Sequence, residues 1–227
     1  MRYNSIKKGI FVSRPNRFIA YVEIDGETVK CHVKNTGRCK ELLIPGVTVY
    51  LEEALNPKRS TRYSLIAVQK GIHLINMDSQ APNKVVYEWL KEGNLLKDTL
   101  KIKPEQVYKN SRFDFYLETS GKKIFMEVKG VTLEEEGTVL FPDAPTERGV
   151  KHIRELCECL QEGYDAYILF VVQMEAAKYF KPNDRTHKEF GEALRRANSQ
   201  GVKIIAMNCI VTPDSLKLKE EIPVILD

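Results

Sequence analysis

Residues 111–131 read SRFDFYLETSGKKIFMEVKGV and predict a β-hairpin that turns at the central Ser-Gly pair. A tight turn at this pair places Asp114 directly opposite Glu127 on the second strand. The same register puts Phe113 and Phe115 on one face with the apolar residues of the partner strand, because side chains alternate along a strand. A slip of one residue would set apolar against polar side chains along the hairpin. The stretch therefore predicts a sheet with one apolar face and one charged row.

The charged row of this hairpin suggests chemistry. Asp114 and Glu127 lie with Cβ atoms about 5 Å apart, and Lys129 follows two residues further on the same face. Two opposed carboxylates repel each other, so a hard divalent cation, Mg²⁺ or Mn²⁺, is their natural partner. Such a cation favours attack of water on a phosphodiester, and Lys129 would orient the water or the developing charge. The three are predicted catalytic residues, although a surface hairpin with a mixed charge patch has the same short pattern.

The helix before the hairpin offers a further carboxylate. Pro82 opens a predicted helix that continues to about Glu92 and is stopped by Gly93. Glu88 lies on this helix. We expect it to be a third metal ligand, with an exposed helix charge as the equal alternative.

Beyond the hairpin, helices alternate with buried strands. Apolar residues at helical spacing predict helices over residues 146–162 and 186–199. Near-continuous apolar runs predict buried parallel strands over residues 164–173 and 202–210. With the hairpin, these elements predict a mixed β-sheet flanked by helices.

Basic side chains gather at the start of the helix over residues 146–162. Arg148, Lys151 and His152 lie within about one turn of each other. A helix N-terminus with cations suits a phosphate backbone, so we predict these three as nucleic-acid contacts. A lone histidine at such a place is more often an ordinary surface residue.

The first 80 residues predict short strands separated by turns. The strands fall at residues 10–13, 17–24, 27–34, 47–52, 63–69 and 72–76, with a helical turn near 38–43. Five or six short strands with one small helix favour a small barrel such as an OB-fold. We place the boundary near Asp78–Pro82 and expect an OB-like nucleic-acid-binding domain over residues 1–80 and a second domain over 81–227.

The net charge of +4 is unevenly distributed. Residues 1–79 have a balance of +6 and the rest has a balance of −2. A basic module joined to a near-neutral one suggests a polyanionic partner.

The Asp25-Gly26 hairpin gives this domain a basic face. Its register places Phe18 on the core side, and cations with the ring of Tyr21 on the other side. Cations beside an aromatic ring suit single-stranded or distorted nucleic acid, although a solvated outer face would look the same. With Arg112 from the second domain, the predicted contacts are Arg14, Arg17, Tyr21, Lys30, His32, Lys34, Asn35, Arg38 and Arg112.

Composition narrows the class of protein. The 43% hydrophobic and 29% charged residues are typical of a folded globular chain. The five cysteines have no zinc-site spacing and indicate reduced thiols. No signal segment and no apolar run near 18 residues is found, so we expect a cytoplasmic protein that does not bind a membrane.

Several long motifs occur in order along the chain. They are Arg14-Pro15-Asn16-Arg17-Phe18, His32-Val33-Lys34-Asn35-Thr36-Gly37-Arg38, Ser111-Arg112-Phe113-Asp114-Phe115, Glu127-Val128-Lys129-Gly130-Val131-Thr132-Leu133, and Phe141-Pro142-Asp143-Ala144 with Thr146-Glu147-Arg148-Gly149 and Lys151-His152. From about residue 8 to 210 the chain resembles the sugar fermentation stimulation protein A family (SfsA).

The resemblance implies an N-terminal OB-like domain and a restriction-endonuclease-like domain of the PD-(D/E)-x-K nuclease superfamily. It also implies DNA binding with little sequence preference and a role in regulating genes of maltose use. The superfamily's metal-binding acids fall on Asp114 and Glu127, its lysine on Lys129, and its first-helix acid on Glu88. Phe113 stands where the superfamily has proline, a residue that shapes the strand and does no chemistry.

Three hypotheses remain at this point. The first is a magnesium-dependent nuclease acting on DNA or RNA, which the like-charge pair favours. The second is a non-catalytic DNA-binding regulator of sugar utilisation genes, which the basic first domain favours. The third is an interaction protein without nucleic acid, which the charge of residues 1–79 disfavours. A homodimer is consistent with nuclease folds, although no stretch identifies an interface.

Overall fold

The computed structural model describes residues 1–35, 37–56 and 58–227. Within these residues, no helix has the length and hydropathy needed to cross a membrane. The elements are β1 (Ile6–Asn16), β2 (Ile19–Ile24), β3 (Glu27–Val33), β4 (Thr48–Glu53), β5 (Tyr63–Lys70), β6 (His73–Asn76), α1 (Ala81–Lys91), β7 (Lys101–Tyr108), β8 (Ser111–Glu118), β9 (Lys123–Val131), β10 (Leu133–Glu135), β11 (Thr138–Phe141), α2 (Glu147–Gln161), β12 (Asp165–Val172), β13 (Tyr179–Pro182), α3 (Asp184–Gln200), β14 (Lys203–Thr212) and β15 (Ser215–Ile222).

Strands β1 to β5 close into a barrel. Their order is β3-β2-β1-β4-β5, and β5 completes the ring by pairing in parallel with β3. Alternation along β2 fills the interior, because Ala20, Val22 and Ile24 are buried while the residues between them are not. Tyr21 lies opposite Lys30, the register that the Asp25-Gly26 turn predicts. The predicted OB-like barrel is therefore confirmed.

The first hairpin of the barrel turns at a different place from the prediction. The Oδ1 atom of Asn16 accepts hydrogen bonds from the backbone N–H groups of Phe18 and Ile19, at 2.9 and 3.1 Å. This side-chain turn ends the strand pair before Arg17. Arg17 and Phe18 therefore lie at the hairpin tip, and Phe18 is 51% exposed. The prediction that Phe18 faces the core and Arg17 the sheet surface is wrong.

The second sheet has the order β15-β14-β12-β9-β8-β7. Strand β12 lies in its interior and runs parallel to both β9 and β14, while the outer pairs are antiparallel. Its residues after Asp165 are buried on both faces, which explains their continuous apolar run. Side chains of α1 pack on one face, and those of α2 and α3 on the other. The predicted mixed sheet flanked by helices is confirmed.

Several strands of the second domain were not predicted from the sequence pattern. They are β7, β10, β11, β13 and β15, of which β10, β11 and β13 form a separate small sheet. Strand β15 shows why, because its exposed residues include Lys217, Lys219, Glu220 and Glu221. Charged residues of this kind protect a sheet edge but obscure the alternation that identifies a strand.

A buried polar junction joins the barrel to the second domain. Gln173, directly after β12, donates from Nε2 to Asn76 Oδ1 at 2.8 Å and to the carbonyl oxygen of Asp78 at 3.0 Å. Its own carbonyl accepts from the backbone N–H of Asn76 at 2.9 Å. Lys70 of β5 adds an ion pair with Glu134 of β10 at 2.7 Å. These contacts fix the barrel relative to the hairpin of β8 and β9.

Candidate functional site

The β8–β9 hairpin pairs as predicted along most of its length. Phe115 lies opposite Met126, and the same register continues to the turn. The paired segment ends before Asp114, whose Oδ2 instead accepts a hydrogen bond from the backbone N–H of Val128 at 2.8 Å. The expected direct pairing of Asp114 with Glu127 is thus replaced by a bond from a side chain to the neighbouring backbone.

The same break changes which face the aromatic residues cover. Phe115 stacks on α1. Phe113 contacts Phe125 and His152 on the other face, with ring centroids 5.4 and 5.9 Å apart. Strand β7 is distorted alongside at Glu105, which has a φ of 55°, and such local distortion re-aims side chains as a bulge does. The prediction that Phe113 and Phe115 share one face is therefore wrong.

Asp114 is a carboxylate held by two donors. Its Oδ1 accepts from Nδ2 of Asn83, in the first turn of α1, at 2.7 Å, and its Oδ2 accepts from Val128. Burial and the negative charge of Glu127 raise the pKa of Asp114 to about 6, although both hydrogen bonds oppose this. Two acids that share one site repel each other in this way.

One carboxylate oxygen of Glu127 accepts two hydrogen bonds, and the other accepts none among the described residues. Oε1 accepts from Nζ of Lys129 at 2.6 Å and from Nδ1 of His152 at 2.5 Å. Burial by itself raises the pKa of Glu127, but the His152 hydrogen bond and the Lys129 charge outweigh it and hold that pKa below the usual value. Oε2 is buried and has no hydrogen-bond partner among the described residues. A buried, ionised oxygen without a donor is a ready ligand for a cation.

Helix α2 places His152 behind Glu127. The helix begins where its cap predicts, because Oγ1 of Thr146 accepts from the backbone N–H three residues on, at 3.1 Å. His152 is only 3% exposed, and its Nε2 accepts from Nε of Arg148 at 3.4 Å. The ring therefore cannot be the exposed phosphate contact that the sequence predicts. Arg148 and Lys151 are exposed, and their contact with phosphate stays a prediction.

Glu88 lies away from these carboxylates. Its Oε2 binds the ammonium group of Met1 at 2.6 Å. Asn83 of the same helix faces Asp114 instead, and five residues further along a helix point in a direction roughly 140° away. The first-helix acid predicted as a metal ligand is thus replaced by an amide that orients Asp114. Sequence reasoning missed Asn83, whose one signal is its place directly after Pro82.

A second group of metal-ligating side chains lies near the start of α2. One ligand atom each from Glu147, His187 and Glu189 lies within 4.8 Å of the others. Both glutamates are exposed, and Glu189 also binds Arg154 at 2.6 Å. This group could not be predicted from the sequence, because α3 contributes two of its members. Burial and a free carboxylate oxygen favour the site of Asp114 and Glu127 over this one.

Three barrel residues that the sequence predicts as nucleic-acid contacts form hydrogen bonds or ion pairs within the protein instead. Arg14 donates to four backbone carbonyl oxygens of neighbouring segments, at 2.7 to 3.0 Å. Lys34 bridges Glu52 and Asp78, at 3.0 and 3.3 Å. The side chain of Asn35 donates to a backbone carbonyl and accepts from a backbone N–H. These three predictions are corrected, because their polar atoms are committed to holding the fold.

Other predicted contacts face solvent. His32 is half-buried, and burial together with the nearby charges of Arg59 and Lys34 lowers its pKa. Arg112 is exposed and binds Glu105 at 2.7 Å. Thr36, in the predicted contact segment, lies outside the described residues. The exposed barrel residues that remain as predicted contacts are Arg17, Tyr21, Lys30 and Arg38.

Family models match both halves of the chain. A model described as the SfsA N-terminal OB domain matches residues 12–77, and one described as the sugar fermentation stimulation protein RE domain matches residues 80–215. The sugar fermentation stimulation protein homolog of Clostridium beijerinckii is 63% identical over 226 residues and covers 100% of both chains. That of Ruminiclostridium cellulolyticum is 58% identical over 224 residues and covers 99% of both.

A solved structure matches over nearly the whole length. It is Pyrococcus furiosus SfsA in complex with Ca²⁺, with a TM-score of 0.89 and 29% identity. The match covers 99% of this chain and 97% of that chain. The chain belongs to the SfsA family, as its motifs predict.

Proposed function

We propose that this chain is a divalent-cation-dependent nuclease that binds DNA with little sequence preference. One observation carries the proposal: Oε2 of the buried Glu127 lacks a donor among the described residues, beside a half-buried Asp114 whose pKa the charge of Glu127 raises. A protein that only bound DNA would have no need for this arrangement, which destabilises the fold until a cation is bound.

Magnesium or manganese fits the residues that are present. Both are hard cations that prefer oxygen ligands, which Asp114 and Glu127 supply. The Pyrococcus furiosus relative was solved in complex with Ca²⁺, another cation that takes oxygen ligands. A divalent cation at this place supplies a Lewis acid that favours attack of water on a phosphodiester.

Lys129 and His152 orient the Glu127 carboxylate. Because both donate to Oε1, the other oxygen stays free for a ligand. The ammonium group of Lys129 lies 2.6 Å from Oε1 of Glu127, directly beside the acids. There it would stabilise negative charge that develops on a phosphate oxygen.

The barrel and the start of α2 supply the DNA contacts. Arg17, Lys30 and Arg38 are exposed on the barrel, and Tyr21 lies directly opposite Lys30. Cations hold phosphates and an aromatic ring stacks on any base, so these contacts favour binding without sequence preference. Arg148 and Lys151 would extend the contact towards Glu127. A homodimer stays a prediction.

A cleavage assay tests the proposal. Labelled single- and double-stranded DNA and RNA are incubated with wild type, Lys129→Met and Lys123→Met, in Mg²⁺, Mn²⁺ or EDTA. Lys123 is the matched control, because it is an exposed lysine on the same strand. We expect metal-dependent cleavage that Lys129→Met lowers by about 100-fold or more and Lys123→Met leaves unchanged.

Two other outcomes contradict the proposal. Salt-sensitive DNA binding without cleavage in any metal would instead favour a non-catalytic DNA-binding regulator. Absence of salt-sensitive binding to any nucleic acid would contradict both functions.

A further inference from the structure

A pocket of about 570 Å³ lies where the barrel meets the second domain. Phe11 from β1 lines it together with Cys39 and Leu43 from the loop after β3, and Ala144 of the second domain adds part of the wall. Phe11, Cys39 and Leu43 are buried apolar residues, so they form an apolar floor. The volume is in the range of pockets that hold small organic ligands.

Three exposed cations line the same pocket. Arg17, Arg38 and Lys40 form no ion pair with any residue in the described ranges. The carboxylate of Asp143 lies against Gly37 but belongs to the neighbouring groove. Glu41 and Asp143 are the carboxylates that act on the thiol of Cys39 in the pocket floor, so the three cations outnumber them. This excess of positive charge favours an anion in the pocket.

Arg14 holds this cationic rim in place. Its Nη1 donates to the carbonyl oxygens of Gly37 and Arg38, at 3.0 and 2.8 Å. Its Nη2 donates to those of Arg17 and Asn35, at 2.8 and 2.7 Å. One guanidinium group therefore fixes the backbone of the two exposed arginines of the pocket, Arg17 and Arg38. A rim that is ordered beforehand loses less entropy when a ligand binds.

We propose that this pocket binds one unpaired nucleotide of a DNA strand. The base lies on the apolar floor, and its phosphate lies among Arg17, Arg38 and Lys40. The inference rests on the proposed function for the class of ligand, and it goes further by assigning DNA with a single-stranded segment or end as the substrate. An apolar surface beside cations fits a base and its phosphate. A base inside a duplex is stacked and paired, so it can enter such a pocket only after it leaves the stack.

A second groove adjoins the pocket and runs along the domain junction. It shares Gly37 and Ala144 with the pocket and has a volume of about 300 Å³. Gly130 and Thr132 line it, and Gly130 directly follows Lys129 in β9. A strand with one nucleotide in the pocket can therefore continue into this groove, which reaches β9 at Gly130.

Binding in EDTA tests the pocket without any contribution from cleavage. Fluorescence anisotropy compares a single-stranded oligonucleotide with a blunt duplex of the same sequence, for wild type, Arg38→Ala/Lys40→Ala and Lys7→Ala/Lys8→Ala. Lys7 and Lys8 are exposed barrel cations that do not line the pocket. We expect the pocket variant to lose about tenfold in affinity for the single strand and less than about threefold for the duplex. The control should weaken both by a similar factor.

Competition identifies the chemistry that the pocket recognises. Deoxyadenosine monophosphate should displace the single strand, whereas deoxyadenosine and inorganic phosphate at the same concentration should not. Arg14→Lys keeps the charge but loses the fork of hydrogen bonds, so it should weaken the mononucleotide while circular dichroism stays that of wild type. The oligonucleotide should bind more tightly than the mononucleotide.

Several results would overturn the inference. They are equal losses for single strand and duplex in Arg38→Ala/Lys40→Ala, displacement by phosphate alone, and tighter binding of the free mononucleotide than of the strand. The proposed function fails separately. Cleavage that depends on Lys129, with unchanged discrimination in the pocket variant, would refute the pocket and leave the nuclease. If the pocket variant loses the preference for single strand over duplex and wild type cleaves no substrate, the nuclease is refuted and the pocket stands.

Discussion

Asp114 is ionised at neutral pH, although its burial and the charge of Glu127 raise its pKa from 3.8 to about 6. A shift of this size corresponds to roughly 3 kcal/mol against the ionised form. Asp114→Asn removes the charge and keeps the acceptor for Asn83, but it loses the bond from Val128, worth about 1 kcal/mol. We expect the variant without metal at pH 8 to be more stable than wild type by on the order of 1 kcal/mol, measured by urea denaturation.

Added divalent cation should reverse this order of stability, so that wild type becomes more stable than Asp114→Asn. Mg²⁺ or Mn²⁺ stabilises a protein that binds it only when folded, so wild type should gain stability and Asp114→Asn should not. Asp165→Asn is the control, because that acid pairs with Lys122 at the far end of the sheet and should leave the response to metal intact. A metal response in Asp114→Asn equal to that of wild type would refute Asp114 as a ligand.

At the residue scale, the features that could be predicted from the sequence are those that depend on local strand geometry. Alternation and one tight turn were enough to predict Asp114, Glu127 and Lys129 as neighbours. The contact from Asn83 could not be predicted in this way, because it depends on how α1 is rotated against the sheet. The same rotation carries Glu88 away from the acids, and only tertiary packing sets it.

At the scale of elements, α2 acts on the site through His152. His152→Ala removes one of the two donors to Glu127 Oε1 and leaves that buried carboxylate to Lys129 alone. Residues that orient a metal ligand typically change metal affinity by 10- to 100-fold, so we expect a loss of about that size for Mn²⁺ by calorimetry. His152→Asn should restore much of the affinity, because its amide N–H replaces the Nδ1 donor.

The His152 variants also separate positioning from stability. Loss of a hydrogen bond to a buried charge costs about 1 to 3 kcal/mol whatever the function of the site. His73 on β6 of the barrel gives a matched histidine-to-alanine control. Lower stability with unchanged Mn²⁺ affinity in His152→Ala would mean that the histidine serves only the fold.

Strands with a buried face and helices with an apolar side were predicted, and edge strands were not. Alternating burial identified β2, β3 and β8, whereas the charged edge strands β7 and β15 were missed. The break between Phe113 and Phe115 also escaped prediction. It arises from the distorted backbone at Glu105 and from the Asp114 bond to Val128, neither of which has a sequence pattern. Both of these departures, on β7 and β8, thus occur next to Asp114 in the sheet.

At the scale of the whole molecule, the two domains form one unit because their junction is polar and buried. Gln173 and Asn76 are 97 positions apart. The apolar pattern of β12, which ends directly before Gln173, does not predict this contact. Gln173→Ala leaves Asn76 Oδ1 and the Asp78 carbonyl without this donor, which costs about 1 to 3 kcal/mol. We expect wild type to unfold in one calorimetric transition and the variant to unfold at lower temperature in two.

The same variant should alter DNA binding, although Gln173 is not one of the proposed DNA contacts. Gln173 lines the groove that adjoins the pocket, and the pocket itself takes part of its wall from Ala144 across the junction. Loosening the junction should therefore lower the preference for single-stranded over duplex DNA in EDTA, while Gln161→Ala, at an exposed helix end, should change neither unfolding nor preference. Two separate transitions with unchanged preference would mean that the barrel binds DNA alone. A lowered preference would mean that the fixed geometry of both domains selects the strand.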